Sequence, residues 1–249
     1  MRELSEGAIR RYSQKSGCHG LDIQTSANLL RRYAFIERGL MRMLAGWFLA
    51  APAYEMKYAF GYHLRDHAEH ADWIRTRLAE MRGGLIRASA EPALTHCIEE
   101  TLHAPDAESF VVAAYLELES ALLDCYRDHL SAADSSANAA EIRIIERLIP
   151  ATERHVAWAR EQIASVSQIS SSSPHPSPSP LPQGERSSNG RVLLNVSSPL
   201  AGEDKGEGDS AARPEVNAHR ELIRKLLGAA GGISGLEARS RRGGGHDLV

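Results

Sequence analysis

The chain has 249 residues, 43% of them apolar, enough for one good-sized domain plus extra segments or for two small ones. A formal net charge of −3 gives no sign of the strongly basic surface that a nucleic-acid partner needs, so none is expected. The three cysteines, Cys18, Cys97 and Cys125, are odd in number and widely spaced without a CxxC pair. They read as free thiols, most simply small buried hydrophobes, which fits a reducing compartment better than a disulfide framework.

The N-terminal segment, 1–25, is polar and lacks the apolar centre of a secretory signal. The longest apolar stretch, 43–54, is bracketed by Arg42 and Lys57 and is shorter than the roughly 20 residues a membrane span needs. A cytoplasmic protein without membrane association is therefore expected.

Helical periodicity then recurs four times. The first predicted helix covers about 26–51, with Ser26 or Asn28 as its cap and Pro52 at its end. The second covers about 53–81 and stops before Gly83 and Gly84. A connector with Pro92 follows, and a short helix over 93–102 fits within it. The third, begun by Pro105 and Asp106, covers about 106–130. The fourth starts near Ser136 or Asn138 and reaches 165; Pro150 inside it should kink it or divide it at Ile149. Alternating β-branched runs are absent from this half of the sequence. Long helices with single apolar stripes and modest connectors predict an all-α, antiparallel bundle over 26–168.

From 169 to 213 the composition turns to Ser, Pro, Gly and charge, which cannot bury enough apolar surface to offset chain entropy, so disorder is expected. The near-repeat SPLPQGE at 179–185 and SPLAGE at 198–203 resembles peptides translated from short palindromic intergenic repeats and reads as an acquired insertion. Helical signal returns as one extra helix within 214–231, and a disordered tail is expected over 232–249.

A carboxylate within an apolar helix stripe is costly unless paired or metal-bound. Glu37 sits in the stripe Leu30, Tyr33, Leu40, Leu44, Trp47, and Glu119 in the stripe Tyr115, Leu116, Leu122, Leu123, Tyr126. Glu117 falls off that stripe and reads as solvated. In the second helix His63, Asp66, His67 and His70 recur at spacings of three and four, which puts them on one face. In the fourth, His155 shares a stripe with Ile145, Leu148, Thr152 and Ala159, and Glu153 lies about one position round the helix.

One Glu, a His-bearing helix, one Glu, a second His-bearing helix: this order resembles the ferritin-like superfamily, whose di-iron members place Glu, Glu-x-x-His, Glu and Glu-x-x-His on four helices. The stretches HAEHADW and ERHVAW are similar in their Trp-containing continuations. The resemblance spans about 26–165 and implies a four-helix ferritin-like bundle. It implies metal ligation by Glu37, His67, His70, Glu119 and His155, with His63, Asp66 and Glu153 as secondary candidates. The family's Glu is replaced by His67 in the second helix and by Thr152 in the fourth, and this loss of carboxylates shifts the expectation toward a single metal.

On this resemblance the chain is expected to be an Fe- or Mn-dependent oxidoreductase acting on a small-molecule substrate, with Tyr33 or Tyr115 lining the site and a homodimer formed through bundle helices. The alternative is a metal-free bundle with a structural or protein-interaction role. Glu37, His67, His70, Glu119 and His155 would then be a buried polar network without cofactor, and His63 a partly exposed helix residue. Neither a phosphate-binding Gly-rich loop nor a nucleophile elbow is present in the sequence.

Overall fold

The structure, a computed structural model, describes residue 9 and residues 20–81, 92–171 and 212–235. Among the described residues the chain is all-helical, without strands. Cys18, most of the 169–213 insertion with its near-repeat, most of 1–25 and the tail beyond 235 lie outside the described residues.

Helix α1, Ile23–Ala50, begins earlier than its expected caps. The cap is Asp22, whose carboxylate accepts from the Thr25 amide at 2.9 Å and the Thr25 hydroxyl at 2.6 Å. Its stripe of Leu29, Leu30, Tyr33, Ile36, Leu40, Met43 and Leu44 is buried. After a three-residue turn, α2, Tyr54–Glu80, folds back on α1 in the most extensive helix pairing among the described residues.

Helix α3, Pro92–Leu102, crosses α1 where Gly39 leaves room for Ile98. A Cβ at Gly39 would stand 2.6 Å from the Ile98 Cδ1. The crossing is fixed at its rim by Arg42, which donates to both Glu99 oxygens at 2.6 and 3.0 Å, and by the Trp47 indole, which donates to the Leu102 carbonyl at 3.0 Å.

The third long helix forms as expected but is not uniform. Asp106 caps α4, Ala107–Val111. A π-helical segment, Val112–Glu119, follows without a break and leads into α5, Ser120–Ala132. Helix α6, Ala139–Ser171, passes through Pro150 undivided and extends into the start of the expected insertion. Its entry is tied to the start of α1 by the Asn138 amide, which bonds both the N–H and the carbonyl of Leu21 at 3.1 and 3.0 Å.

Helix α7, Ala212–Ala229, packs on α3, α4 and the π-helical segment. Here the solvated reading of Glu117 is corrected: its side chain is 10% exposed and receives Arg220 and Arg224 from α7. The expectation of disorder from 232 onward is likewise corrected for its first residues. Ile233 is buried, and Arg32 of α1 donates to the carbonyls of Ala230, Gly232 and Ile233 at 3.2, 2.9 and 2.7 Å. No helix among the described residues is long and apolar enough to cross a membrane. Cys97 and Cys125 are buried.

Candidate metal centre

Four helical elements bring ionisable groups into the middle of the molecule. Helix α1 supplies Glu37, α2 supplies His63, Asp66, His67 and His70, the last residue of the π-helical segment is Glu119, and α6 supplies His155. Glu37, His67 and Glu119 have no solvent exposure at all. The three-and-four spacing on α2 does what the sequence pattern requires, stacking its four polar side chains along the face turned toward α1 and α6.

Glu37 is the best-satisfied group. Its Oε2 accepts from His67 Nδ1 at 2.5 Å, and its Oε1 accepts from His70 Nδ1 at 3.1 Å and from the Tyr126 hydroxyl at 2.6 Å. Burial alone would raise its pKa, but the two facing imidazoles outweigh burial and hold the carboxyl well below the usual range. His70, though burial opposes it, is raised by its bond to Glu37.

Glu119 is in the opposite condition. Burial, with Glu37 and Asp66 adding to it against the pull of His67 and His70, pushes its carboxyl up to about 8. Its Oε1 accepts from His155 Nδ1 at 2.7 Å and lies 3.5 Å from His67 Nε2. Neither His67 Nε2 nor Glu119 Oε2 has a hydrogen-bond partner, although both atoms are buried. With His67 Nδ1 engaged by Glu37, its Nε2 meets the Glu119 carboxyl across that gap without a bond. A proton or a metal cation between them would close it.

His155 also has a carboxylate on each nitrogen, Glu119 on Nδ1 and Asp66 on Nε2 at 3.3 Å. Burial lowers its pKa to about 4, so near neutral pH the ring carries a single proton between the two carboxyl groups.

Two ligand sets result: Glu37, His67 and His70, and His67, Glu119 and His155, each with its ligand atoms within 4.8 Å of one another. All five leading candidates are thus brought together. The secondary candidates fall outside these sets. His63 is buried, not partly exposed, with Nδ1 2.8 Å from the Tyr115 hydroxyl and its ring 4.0 Å from that of His155. Asp66 links His155 to Arg65 and Arg154 at the edge of the cluster. Glu153 is exposed and pairs with Arg127 at 2.6 Å.

Of the two tyrosines expected near the site, Tyr115 reaches it through His63. Tyr33 stands behind Tyr126, edge-on at 4.9 Å. Tyr126 is the residue the sequence reading passed over as a ligand-shell partner. Its place in the stripe of Glu119 shows that it is buried, not that its hydroxyl meets Glu37.

The donor chemistry fits a divalent first-row cation: imidazole and carboxylate, buried, with two unpartnered donor atoms turned inward. Comparison with known proteins finds no match among protein families, curated proteins or solved structures.

Proposed function

We propose that the chain is a ferritin-like four-helix protein that binds Fe or Mn at this centre and acts as a metal-dependent oxidoreductase on a small-molecule substrate. The observation that carries the reading is the convergence of Glu37, His67, His70, Glu119 and His155 from four helical elements, with His67 Nε2 and Glu119 Oε2 left unpartnered at their meeting point. Four long helical stretches, α1, α2, 107–132 and α6, each contribute a ligand, as the resemblance to the ferritin-like superfamily implies.

Bound there, Fe or Mn would supply the redox capacity for O₂ or peroxide chemistry. The chain's own residues hold and orient it. Tyr126 and His70 fix the Glu37 carboxylate, Asp66 fixes the outer nitrogen of His155, and the buried aromatic rings of Phe60, Tyr115 and Phe110 pack together beside His63.

The test is elemental analysis of protein produced with Fe and Mn, beside the Glu37→Gln/Glu119→Gln double variant, which keeps side-chain volume. Near-stoichiometric metal in the parent and none in the variant is expected. A parent that stays empty after anaerobic reconstitution overturns the proposal.

A second reading, a metal-free bundle with a structural or interaction role, is favoured by one specific observation. Glu37 already has three donors within hydrogen-bond distance, so its half of the centre is complete without a cation. The same measurement separates the two readings.

A further inference from the structure

We propose that His67 is shared between two cation positions, its Nδ1 turned to one with Glu37 and His70 and its Nε2 to one with Glu119 and His155. This rests on the metal-centre reading and adds to it the number of ions and the residue that joins them. The loss of carboxylates in the sequence points to a single ion, whereas the geometry points to two.

The two ligand sets have one member in common, and it is His67. One imidazole can serve two cations only through its two nitrogens, and these leave opposite sides of the ring. In His67 each nitrogen faces a different carboxylate: Nδ1 stands 2.5 Å from Glu37 Oε2, and Nε2 stands 3.5 Å from Glu119 Oε1. The outer members sit on the matching sides. His70 shares the Glu37 carboxylate, and His155 shares Glu119 Oε1. Among the described residues, the one other ring with a carboxyl group on both nitrogens is His155, and its second partner, Asp66, belongs to neither set.

Nε2 of His67 is fully buried, without a hydrogen-bond partner, and aimed at Glu119. This nitrogen makes no bond within the polar network, and its 3.5 Å separation from Glu119 Oε1 is one that a shared cation, about 2 Å from each atom, can span. When both positions fill, the ring's N–H proton passes to solvent and the imidazolate contributes a negative charge beside Glu37 and Glu119. The second-helix carboxylate that the ferritin-like pattern would place at this position is thereby replaced by a ligand that also bears charge.

The experiment uses Cu²⁺, which imidazole-rich sites bind strongly and whose unpaired electron reports its neighbours. The metal-free parent is titrated with Cu²⁺ and followed by electron paramagnetic resonance, with bound copper counted by elemental analysis. The expected result is two ions per chain, with a signal that grows to one equivalent and then falls as the second ion couples to the first through the ring.

Glu119→Gln should stop at one uncoupled ion, and His67→Gln should show no coupled pair at any loading. A parent signal that grows in proportion up to two equivalents means that the ions do not share the ring and overturns the proposal. So does a parent that saturates at one ion, while the metal centre itself stands. A parent that binds neither Cu²⁺ nor Fe or Mn removes both readings. The parent titration decides the matter even if the His67 variant fails to fold.

Discussion

Glu37 and Glu119 are both wholly buried, and they are perturbed in opposite directions because their partners differ. Tyr126 donates to Glu37 at 2.6 Å, and both side chains are fully buried, so Tyr126→Phe should cost about 2 kcal/mol of metal-free stability in urea denaturation. Glu119 gives a pH signature of known sign. Its folded pKa is raised from the ordinary 4.5 to about 8. The stability linked to its protonated form is therefore fully present below the ordinary value and is lost as pH rises toward the folded one. Glu119→Gln should flatten the stability profile of the metal-free protein across that window, and a variant that declines as steeply as the parent would refute the assignment. Both residues were legible in the sequence for one reason: a carboxylate within an apolar stripe must have a buried partner. The same logic set Glu153 aside as secondary, about 100° round the helix from the face of Thr152 and His155. Tyr126 was not legible as a partner, because its hydroxyl is invisible to a pattern that counts it only as apolar.

At the level of elements, the long helices were readable from periodicity, whereas their ends depended on single side chains. The cap of α1 is Asp22, whose carboxyl lies below its usual range chiefly through its bond to the Thr25 hydroxyl. Asp22→Ala should cost about 1 kcal/mol, measured by thermal or urea unfolding. Because a depressed carboxyl stabilises above its unfolded pKa, the difference from the parent should shrink as pH falls through the carboxylate range. The α1–α3 crossing makes a second demand. Gly39→Ala places a methyl group 2.6 Å from Ile98 Cδ1 and should cost about 1–3 kcal/mol. Ile98→Ala in the same chain should recover part of that loss, which a double-mutant cycle would read as coupling. The π-helical segment gave no sequence signal. A helix widened by one residue keeps the same residue types, and only the i→i+5 bonding distinguishes it.

For the molecule as a whole, α7 is the element whose place was least legible. Its amphipathic pattern identified a helix, but nothing local names a docking partner about a hundred positions earlier in the chain. That partner is Glu117, assigned to solvent by the stripe it does not share and covered in the fold by Arg220 and Arg224. The turn after α7 is held as well: Gly235 has φ +69°, and a Cβ there would stand 2.8 Å from the Arg32 Cζ. Arg32→Ala frees three carbonyls at once. Amide hydrogen exchange should then accelerate over α7 and its following turn while α2 and α6 keep their protection. Equal acceleration in all helices would show instead that α7 is integral to the central fold.

Glu117 and Glu119 stand two residues apart within one wide turn, one gripped by α7 and the other turned into the centre. A single-codon deletion between 112 and 119 would leave an ordinary α-helix of better intrinsic geometry. The flanking helices would stay in phase, because the residue lost is the one the wide turn absorbs. A loss at 118, however, would set the two carboxylates one position, about 100°, apart, so the inward one and the outward one could no longer both meet their partners. Loss of Leu118 would tighten the local winding and still take the centre apart.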